Sequence, residues 1–161
     1  MSFNRCHIAK TNPMYIRMML FLLVGFKIAH SKTLSVGPQE SIKTIKKGIA
    51  LSGKGDTLFI KKGFYREPNI LITNTITILG EEGVILDGQN KYEIIILSGQ
   101  KITVKNIQVQ NAGNSTLEDF AAIKVIDGFD IKLDNIKVIN SFFGVHVSNT
   151  TNFTVSNSVI V

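Results

Sequence analysis

Side chains that could bind a soft metal ion or act as acid–base groups are sparse after position 31. Residues 32–161 contain one histidine, His146, and no cysteine or methionine. Soft ions such as copper(I) favour Cys, Met and His ligands, and a single imidazole does not make a site. We therefore assign no metal ligand; His146 is a weak candidate only, and we interpret it as a surface histidine.

Catalytic groups would have to converge on the outer face of the strands that begin each repeat of the chain. The outward positions predicted there are Ile95, Lys124 and His146, with Glu93, Ala122 and Gly144 alongside. A Ca²⁺ site needs several carboxylates and glycoside hydrolysis needs a pair, but Glu93 is the one carboxylate in this set. We assign no catalytic residue and predict that the chain is not an enzyme. Lys124 with His146 could still form a weakly basic patch for an anionic glycan, which leaves a polysaccharide lyase or epimerase as the alternative.

The remaining acidic residues fall in turns and loops. They are Asp127, Asp130 and Asp134 around one turn, Glu81 and Glu82 in a loop next to Gly83, and Glu118 with Asp119 in an inserted loop. Carboxylates in such positions usually accept hydrogen bonds from the backbone or face solvent.

Short alternating runs of apolar residues recur along the chain. The segment from Ile94 to Asn111, shifted by 29 places, falls on the segment from Ile123 to Asn140, and a further shift of 22 carries Ile131 onto Phe153. Each run alternates with a period of two between Gly, Asn or Asp residues, which is typical of β-strands. The connections are too short for crossover helices. The sequence therefore predicts an all-β chain, a right-handed parallel β-helix with coils of about 22 to 24 residues.

Asn106, Asn135 and Asn157 recur at the bend between the second and third strands of the repeat. Asparagine tolerates the left-handed backbone conformation that a tight bend requires. Stacked asparagine side chains can also form hydrogen bonds from one coil to the next. We interpret these residues as a structural asparagine ladder.

The two ends of the predicted solenoid differ. Ile42, Ile45 and Ile49 recur at helical spacing, which predicts a short amphipathic helix over the first coil. No comparable cap precedes Val161, so we expect the chain to be C-terminally truncated. We divide the sequence into residues 1–31 as a signal peptide, 32–55 as an N-terminal cap that includes the helix, and 56–161 as β-helix repeats that are incomplete at their C-terminal end.

The segment before Lys32 has the pattern of a signal peptide. Arg5, Lys10 and Arg17 precede an apolar run from Met18 to Phe26, and positions 29–31 offer small side chains at the −3 and −1 positions. The run is too short for a membrane helix, which needs about 20 apolar residues, so we expect export and no membrane span in the mature chain. Four of the 18 basic residues precede position 32, which leaves 14 against 12 acidic residues. This near balance gives no support to a nucleic-acid partner.

Three stretches of the sequence resemble NosD-like proteins. Residues 55–88, GDTLFIKKGFYREPNILITNTITILGEEGVILDG, contain a Gly-Asp strand, a Gly-x-Tyr turn and a later Leu-Asp-Gly, a pattern shared in part with other pectin-lyase-like β-helices. Residues 110–125, QNAGNSTLEDFAAIKV, and 141–150, SFFGVHVSNT, are similar to NosD in their inserted loop and Phe-Phe-Gly strand.

This resemblance implies a periplasmic accessory protein in the maturation of nitrous oxide reductase. It implies as partners an ABC transporter, with its ATPase and permease, and nitrous oxide reductase or a copper chaperone. Copper is implied by the resemblance alone, and we assign no cofactor within these residues. A protein that binds or modifies polysaccharides and a structural surface adhesin remain alternatives, and secretion or cell-surface attachment is the alternative to a periplasmic location.

Overall fold

A computed structural model of the chain describes residues 30–114 and 120–161. The predicted signal peptide, apart from His30 and Ser31, and the Glu118–Asp119 pair lie outside these ranges. Within them, no helix has the length and apolar character needed to cross a membrane.

The described residues form one short helix and thirteen strands. The helix is α1 (Ile45–Leu51), and the strands are β1 (Thr33–Val36), β2 (Thr57–Ile60), β3 (Gly63–Tyr65), β4 (Ile70–Ile72), β5 (Ile76–Gly80), β6 (Val84–Asp87), β7 (Ile95–Leu97), β8 (Gln100–Gln110), β9 (Ala121–Ile126), β10 (Phe129–Ile139), β11 (Phe143–Ser148), β12 (Thr151–Ser156) and β13 (Val159–Ile160).

These strands stack into three parallel sheets around a common interior. The first sheet has the order β4-β7-β9-β11, and the second has the order β1-β2-β5-β8-β10-β12. β8 and β10 continue past a bend, and their second halves pair with β6 and β13 in the third sheet, in which β6 also pairs with β3. Every pairing is parallel, so the predicted parallel β-helix with a short N-terminal helix is confirmed.

Aliphatic side chains line up from coil to coil inside the solenoid. In the second sheet Ile76 pairs with Ile102, Ile102 with Ile131, and Ile131 with Phe153. The three isoleucines are at most 1% exposed. Burying each such side chain contributes about 1.5–3 kcal/mol, so these columns hold the coils together.

Successive coils differ in length, although their strands remain in register. In the second sheet Thr33 pairs with Thr57, Thr57 with Thr77, Thr77 with Thr103, and Thr103 with Lys132. The coil from Thr57 to Thr77 is the shortest of these four, and the coil from Thr103 to Lys132 is the longest. The extra residues of the longer coils lie in the turns at the corners.

One of these turns corrects the predicted alignment of the repeats. The shift that aligns Ile102 with Ile131 is confirmed, but in the first sheet Ile95, not Ile94, pairs with Ile123. The turn after β9 is one residue longer than the turn after β7, and its Asp127 has a φ of 51°. The predicted outward position of Ile95 is therefore wrong: Ile95 is buried at 2% exposure, and Ile96 pairs with Lys124 instead.

The N-terminal helix packs directly on the first coils. A β-carbon at Gly48 would lie 2.6 Å from Val36 and 2.7 Å from Leu58, so this residue allows the helix to approach the sheet closely. α1 begins at Ile45, after the N-cap Thr44, and not at Ile42, which forms a bridge with Val36. The Glu67 carboxylate accepts hydrogen bonds from the first two helical N–H groups, at 2.7 and 3.0 Å. Strand pairing begins at Thr33, within the segment predicted as the N-terminal cap.

Asparagines occupy the bends between the second and third sheets. Asn106, Asn135 and Asn157 have φ values of 56°, 53° and 50°, in the left-handed region. Nδ2 of Asn135 donates to Oδ1 of Asn106 at 3.0 Å. Asn157 donates instead to Asp134, at 2.8 Å. The hydrogen bonds at this corner therefore join an asparagine pair and an asparagine–aspartate pair.

A second ladder, which the sequence analysis did not identify, lies at the bend after the third sheet. Nδ2 of Asn111 donates to Oδ1 of Asp87 at 3.1 Å, and Nδ2 of Asn140 donates to Oδ1 of Asn111 at 2.7 Å. This ladder fixes the turns through which the chain enters the first sheet.

Candidate functional site

The outer face of the first sheet brings a lysine and a histidine together. Lys124 on β9 pairs with His146 on β11, and Ile96 on β7 pairs with Lys124 from the other side. Neighbouring strands lie about 4.8 Å apart, so the three side chains form a column across successive coils. The structure therefore brings together Lys124 and His146, with Ile96 taking the place predicted for Ile95.

Glu93, in the turn before β7, forms an ion pair with Lys124. Its Oε1 lies 2.5 Å from Nζ of Lys124, and the two side chains are only 10% and 19% exposed. Within residues 30–114 and 120–161 no group donates a hydrogen bond to this buried oxygen, so the ion pair is its one polar contact. Because a partly buried charge is costly when unpaired, the pair fixes the position of the lysine on the sheet surface.

The corner before β9 and β11 changes which residues face outward. Ala122 is fully buried, and a β-carbon at Gly144 would lie 2.5 Å from Ile160, so both positions face the interior. Their predicted outward orientation is wrong, because the chain bends at this corner and two consecutive residues point inward. Phe143, which pairs with Ala121, occupies the outer position.

The Phe143 ring lies next to His146 and contacts the Phe142 ring. The Phe143 ring is 6.5 Å from the imidazole in an edge-to-face arrangement, and the Phe142 ring is 4.8 Å from that of Phe143. Phe142 is 72% exposed. The sequence signal for this contact is the Phe-Phe pair that ends three residues before His146.

Hydrogen bonds between turns hold the backbone around Glu93. Its carbonyl oxygen accepts from Asn69 N at 2.9 Å, and the carbonyl of the preceding Tyr92 accepts from Gly113 N at 2.9 Å. A β-carbon at Gly113 would lie 2.5 Å from the carbonyl carbon of Lys91, so this contact requires glycine. The Glu93 carboxylate thus projects from a backbone fixed by the coils on both sides.

Asp134 and Asp130 lie away from this face and have structural contacts. Asp134 accepts hydrogen bonds from Asn157 and Ser156 and lies 3.2 Å from Nζ of Lys105. The Asn157 and Ser156 bonds, with Lys105, lower the pKa of the Asp134 carboxyl below its ordinary value. Asp130 lies 3.2 Å from Nζ of Lys132.

Asp127 and Glu81 also bind neighbouring groups. Asp127 accepts a hydrogen bond from Asn149 at 2.5 Å, and Glu81 accepts one from Lys62 N at 2.8 Å. Neither contact directs a carboxylate toward the outer face of the first sheet.

Copper does not fit the surroundings of His146. The described ranges contain no group of three or more His, Cys, Asp or Glu residues placed to hold a metal ion. The ammonium group of the neighbouring Lys124 would also repel a cation. His146 and its described neighbours therefore do not form a copper ligand set.

The described coils are similar in structure to solved pectin methylesterases. A pectin methylesterase mutant in complex with a hexasaccharide has a TM-score of 0.66 and 18% identity, over 81% of this chain and 49% of that chain. PemA from Erwinia chrysanthemi has a TM-score of 0.57 and 17% identity, over 78% and 48%. The pectin methylesterase from Aspergillus niger has a TM-score of 0.51 and 16% identity, over 81% and 58%. The sequence matches no protein-family model and no curated protein.

These comparisons correct one prediction and leave another without support. The structures that share the fold are enzymes, which overturns the prediction that the chain is not an enzyme. The NosD resemblance has no support among the comparisons. The chain spans about half the length of the structures it matches, from 48% to 58%. At this level of identity the likeness establishes the architecture alone, which is a parallel β-helix.

Proposed function

We propose that the protein binds and modifies an acidic polysaccharide along the outer face of its first sheet. The observation that carries this proposal is the convergence of Glu93, Lys124 and His146 on two neighbouring strands and the turn before a third. The fold is shared with pectin methylesterases, one of them in complex with a hexasaccharide, which supports a sugar polymer as the ligand.

Lys124 would bind the carboxylate of an acidic sugar. An ammonium group has three donors, and the ion pair with Glu93 holds Nζ of Lys124 on the sheet surface without a hydrogen bond to Oε1. These donors can point toward a ligand there. Glu93 acts here as a positioning residue, because it holds the lysine in place without contacting the sugar.

His146 would act as the proton acceptor. Histidine is the side chain most often used as a general base, and this one lies on the strand next to Lys124. The proton on the carbon beside the sugar carboxylate would pass to the imidazole. The electron pair of that C–H bond would form a carbon–carbon double bond, and the glycosidic oxygen would leave and take a proton from solvent. Lys124 would stabilise the negative charge that develops on the carboxylate.

The rings of Phe142 and Phe143 would contact the sugar next to the reacting unit. Phe143 is 39% exposed and its ring lies next to the imidazole, and Phe142 is 72% exposed and contacts Phe143. Flat apolar rings can pack against the apolar face of a sugar, so they would position the polymer over Lys124.

The test is an assay of the exported protein on polygalacturonate, on alginate and on a neutral glycan of similar length. We expect binding of one acidic polymer and formation of unsaturated ends, measured by their ultraviolet absorbance. His146→Gln should lower kcat about 100-fold or more, and Lys124→Met should mainly raise KM. Lys132→Ala, on the second sheet, is the matched control and should leave both constants unchanged. Absence of binding to every acidic polymer would disprove the proposal.

The copper-maturation role, with an ABC transporter, nitrous oxide reductase or a copper chaperone as partners, stays a prediction that rests on the sequence resemblance. The comparisons favour the polysaccharide. Export to the periplasm, or secretion, remains part of either proposal, because the pattern of residues 1–31 is independent of the site.

A further inference from the structure

Asp56 is a buried carboxylate beside the predicted cleavage point of the signal peptide. It is 4% exposed and immediately precedes β2. Its Oδ1 accepts a hydrogen bond from the backbone nitrogen of Lys32 at 3.0 Å, and its Oδ2 accepts one from Gly53 N at 2.7 Å. These two N–H donors lower the pKa of the Asp56 carboxyl, so the residue is adapted to carry a negative charge.

The Lys32 nitrogen is also the atom that processing would change. The small residues at positions 29 and 31 place the cleavage between Ser31 and Lys32. Hydrolysis of that peptide bond consumes one water and leaves a carboxylate on Ser31. The Lys32 nitrogen, until then a neutral amide, becomes an ammonium group with three donors.

We propose that Asp56 is the acceptor for this new amino terminus, so that removal of the signal peptide creates a buried ion pair at the first strand. Hydrogen bonds between two charged groups are about twice as strong as neutral ones. The Lys32 carbonyl accepts from Thr57 N at 2.9 Å, so the terminus is already held in register with β2. Processing would thus stabilise the β-helix at its first strand, independently of any activity on polysaccharides.

Few other charges act on this carboxylate. Nζ of Lys32 lies 3.9 Å from Oδ2 of Asp56, but its side chain is 60% exposed and therefore screened by water. Lys54 lies in the turn before Asp56 and is exposed. The backbone nitrogen of Lys32 is closer than either side chain, so its charge would dominate after cleavage.

The first test is the mass of the mature protein exported from full-length chain. We expect an amino-terminal residue of Lys32. A mature terminus at any other residue would overturn the proposal, because the ammonium group would then lie away from Asp56.

The second test is an NMR titration of the α-amino group in the processed protein. Pairing with Asp56 should raise the pKa of this amine above its ordinary range of about 7.7 to 8.0, and unfolding in urea should return it to that range. Asp56→Asn should also return it, because the asparagine accepts a hydrogen bond without carrying charge. Asp130→Asn, which removes an exposed carboxylate paired with Lys132, should not. The same amine pKa in folded and urea-unfolded protein would overturn the proposal even if Asp56→Asn did not fold.

The pH dependence of the free energy of unfolding is a third test of the ion pair between the Lys32 amino group and Asp56. Because the folded-state pKa of the amine is raised, its contribution is fully present below about pH 7.7 and is lost as the pH rises through the folded-state value. The processed protein should therefore lose stability between neutral and alkaline pH more steeply than its Asp56→Asn variant. Equal slopes would contradict the ion pair.

Discussion

Nζ of Lys124 and Oε1 of Glu93 lie 2.5 Å apart and join two successive coils on the outer face of the first sheet. The lysine projects from β9, whereas the glutamate belongs to the turn before β7. The pair therefore depends on the register of the solenoid as well as on the two residue types. Any change that shifts one coil against the next would therefore move Glu93 and Lys124 apart.

Breaking this pair should destabilise the fold. Glu93→Ala leaves the lysine partly buried and unpaired, which costs about 3 kcal/mol. The double variant Glu93→Leu with Lys124→Met should recover most of that loss, because apolar side chains of similar size can replace a buried pair. Urea unfolding of the wild type, of Glu93→Leu, of Lys124→Met and of the double variant measures the coupling.

An exposed ion pair supplies the control for this measurement. The side chains of Asp130 and Lys132 are 28% and 55% exposed, so Lys132→Ala should change the unfolding free energy by less than about 1 kcal/mol. A loss from Glu93→Ala no larger than the loss from the control would contradict the structural role of the buried pair.

Gly48→Ala should destabilise the N-terminal cap, although alanine favours helices. The added β-carbon would lie 2.6 Å from Val36 and 2.7 Å from Leu58, so the helix would have to move off the sheet. We expect a loss of about 1–3 kcal/mol from this overpacking. Ala50→Gly, at an exposed position of the same helix, is the comparison and should cost only about 0.5–1 kcal/mol. Thermal unfolding of both variants measures the difference, and an unchanged or raised melting temperature for Gly48→Ala would show that the cap is not packed this closely.

Asn135 should be replaceable by glycine at a smaller loss than by alanine. Its φ of 53° lies in the left-handed region, where a side chain that cannot bond to the backbone costs about 1–2 kcal/mol. Glycine removes that strain and loses mainly the bond to Asn106, so Asn135→Ala should be the less stable of the two. Chemical denaturation of both variants, with the same two substitutions at Asn157, decides this. Equal stabilities for glycine and alanine would mean that the bend does not select for left-handed residues.

Acid should weaken the corner held by Asp134. Its pKa is lowered from 3.8 by Asn157, Ser156 and Lys105. A carboxyl group whose pKa is depressed in the folded state contributes stability above its unfolded value, and that contribution is lost as the pH falls through the folded value. Stability should therefore decline below about pH 4, and Asp134→Asn should make this decline shallower. Unfolding curves collected from pH 5 to pH 2, with Glu82→Gln as a control for the loss of one negative charge, measure the slope.

The architecture could be predicted from the sequence because the inward columns repeat. The repeat of the sequence aligns Ile102, Ile131 and Phe153, and these residues pair as predicted. The orientation of side chains in the first sheet is harder to predict. Ile94, Ile95 and Ile96 are all apolar, so the sequence does not indicate which of them face the interior. The turn around Asp127 contains one extra residue, which shifts the alignment of the first sheet by one position. The sequence therefore predicts an outward Ile95, whereas the residue is buried.

The candidate site was only partly accessible from the sequence for the same reason. Lys124 and His146 are related by the same shift of 22 residues that aligns Ile131 with Phe153, so the sequence predicts correctly that they are neighbours. Their contacts with Glu93 and Phe143 depend on how the corner turns direct each side chain, and a pattern of residue types does not contain that geometry.

Because the coils differ in length, insertions in the corner turns can accumulate in evolution without substitutions in the buried interior. Since coils as different in length as Thr57–Thr77 and Thr103–Lys132 connect equivalent positions on the second sheet, insertions at a corner leave the stacked interior as it was. A descendant of this chain could therefore acquire a new loop beside the first sheet, and with it a new specificity, without any compensating substitution among the isoleucines.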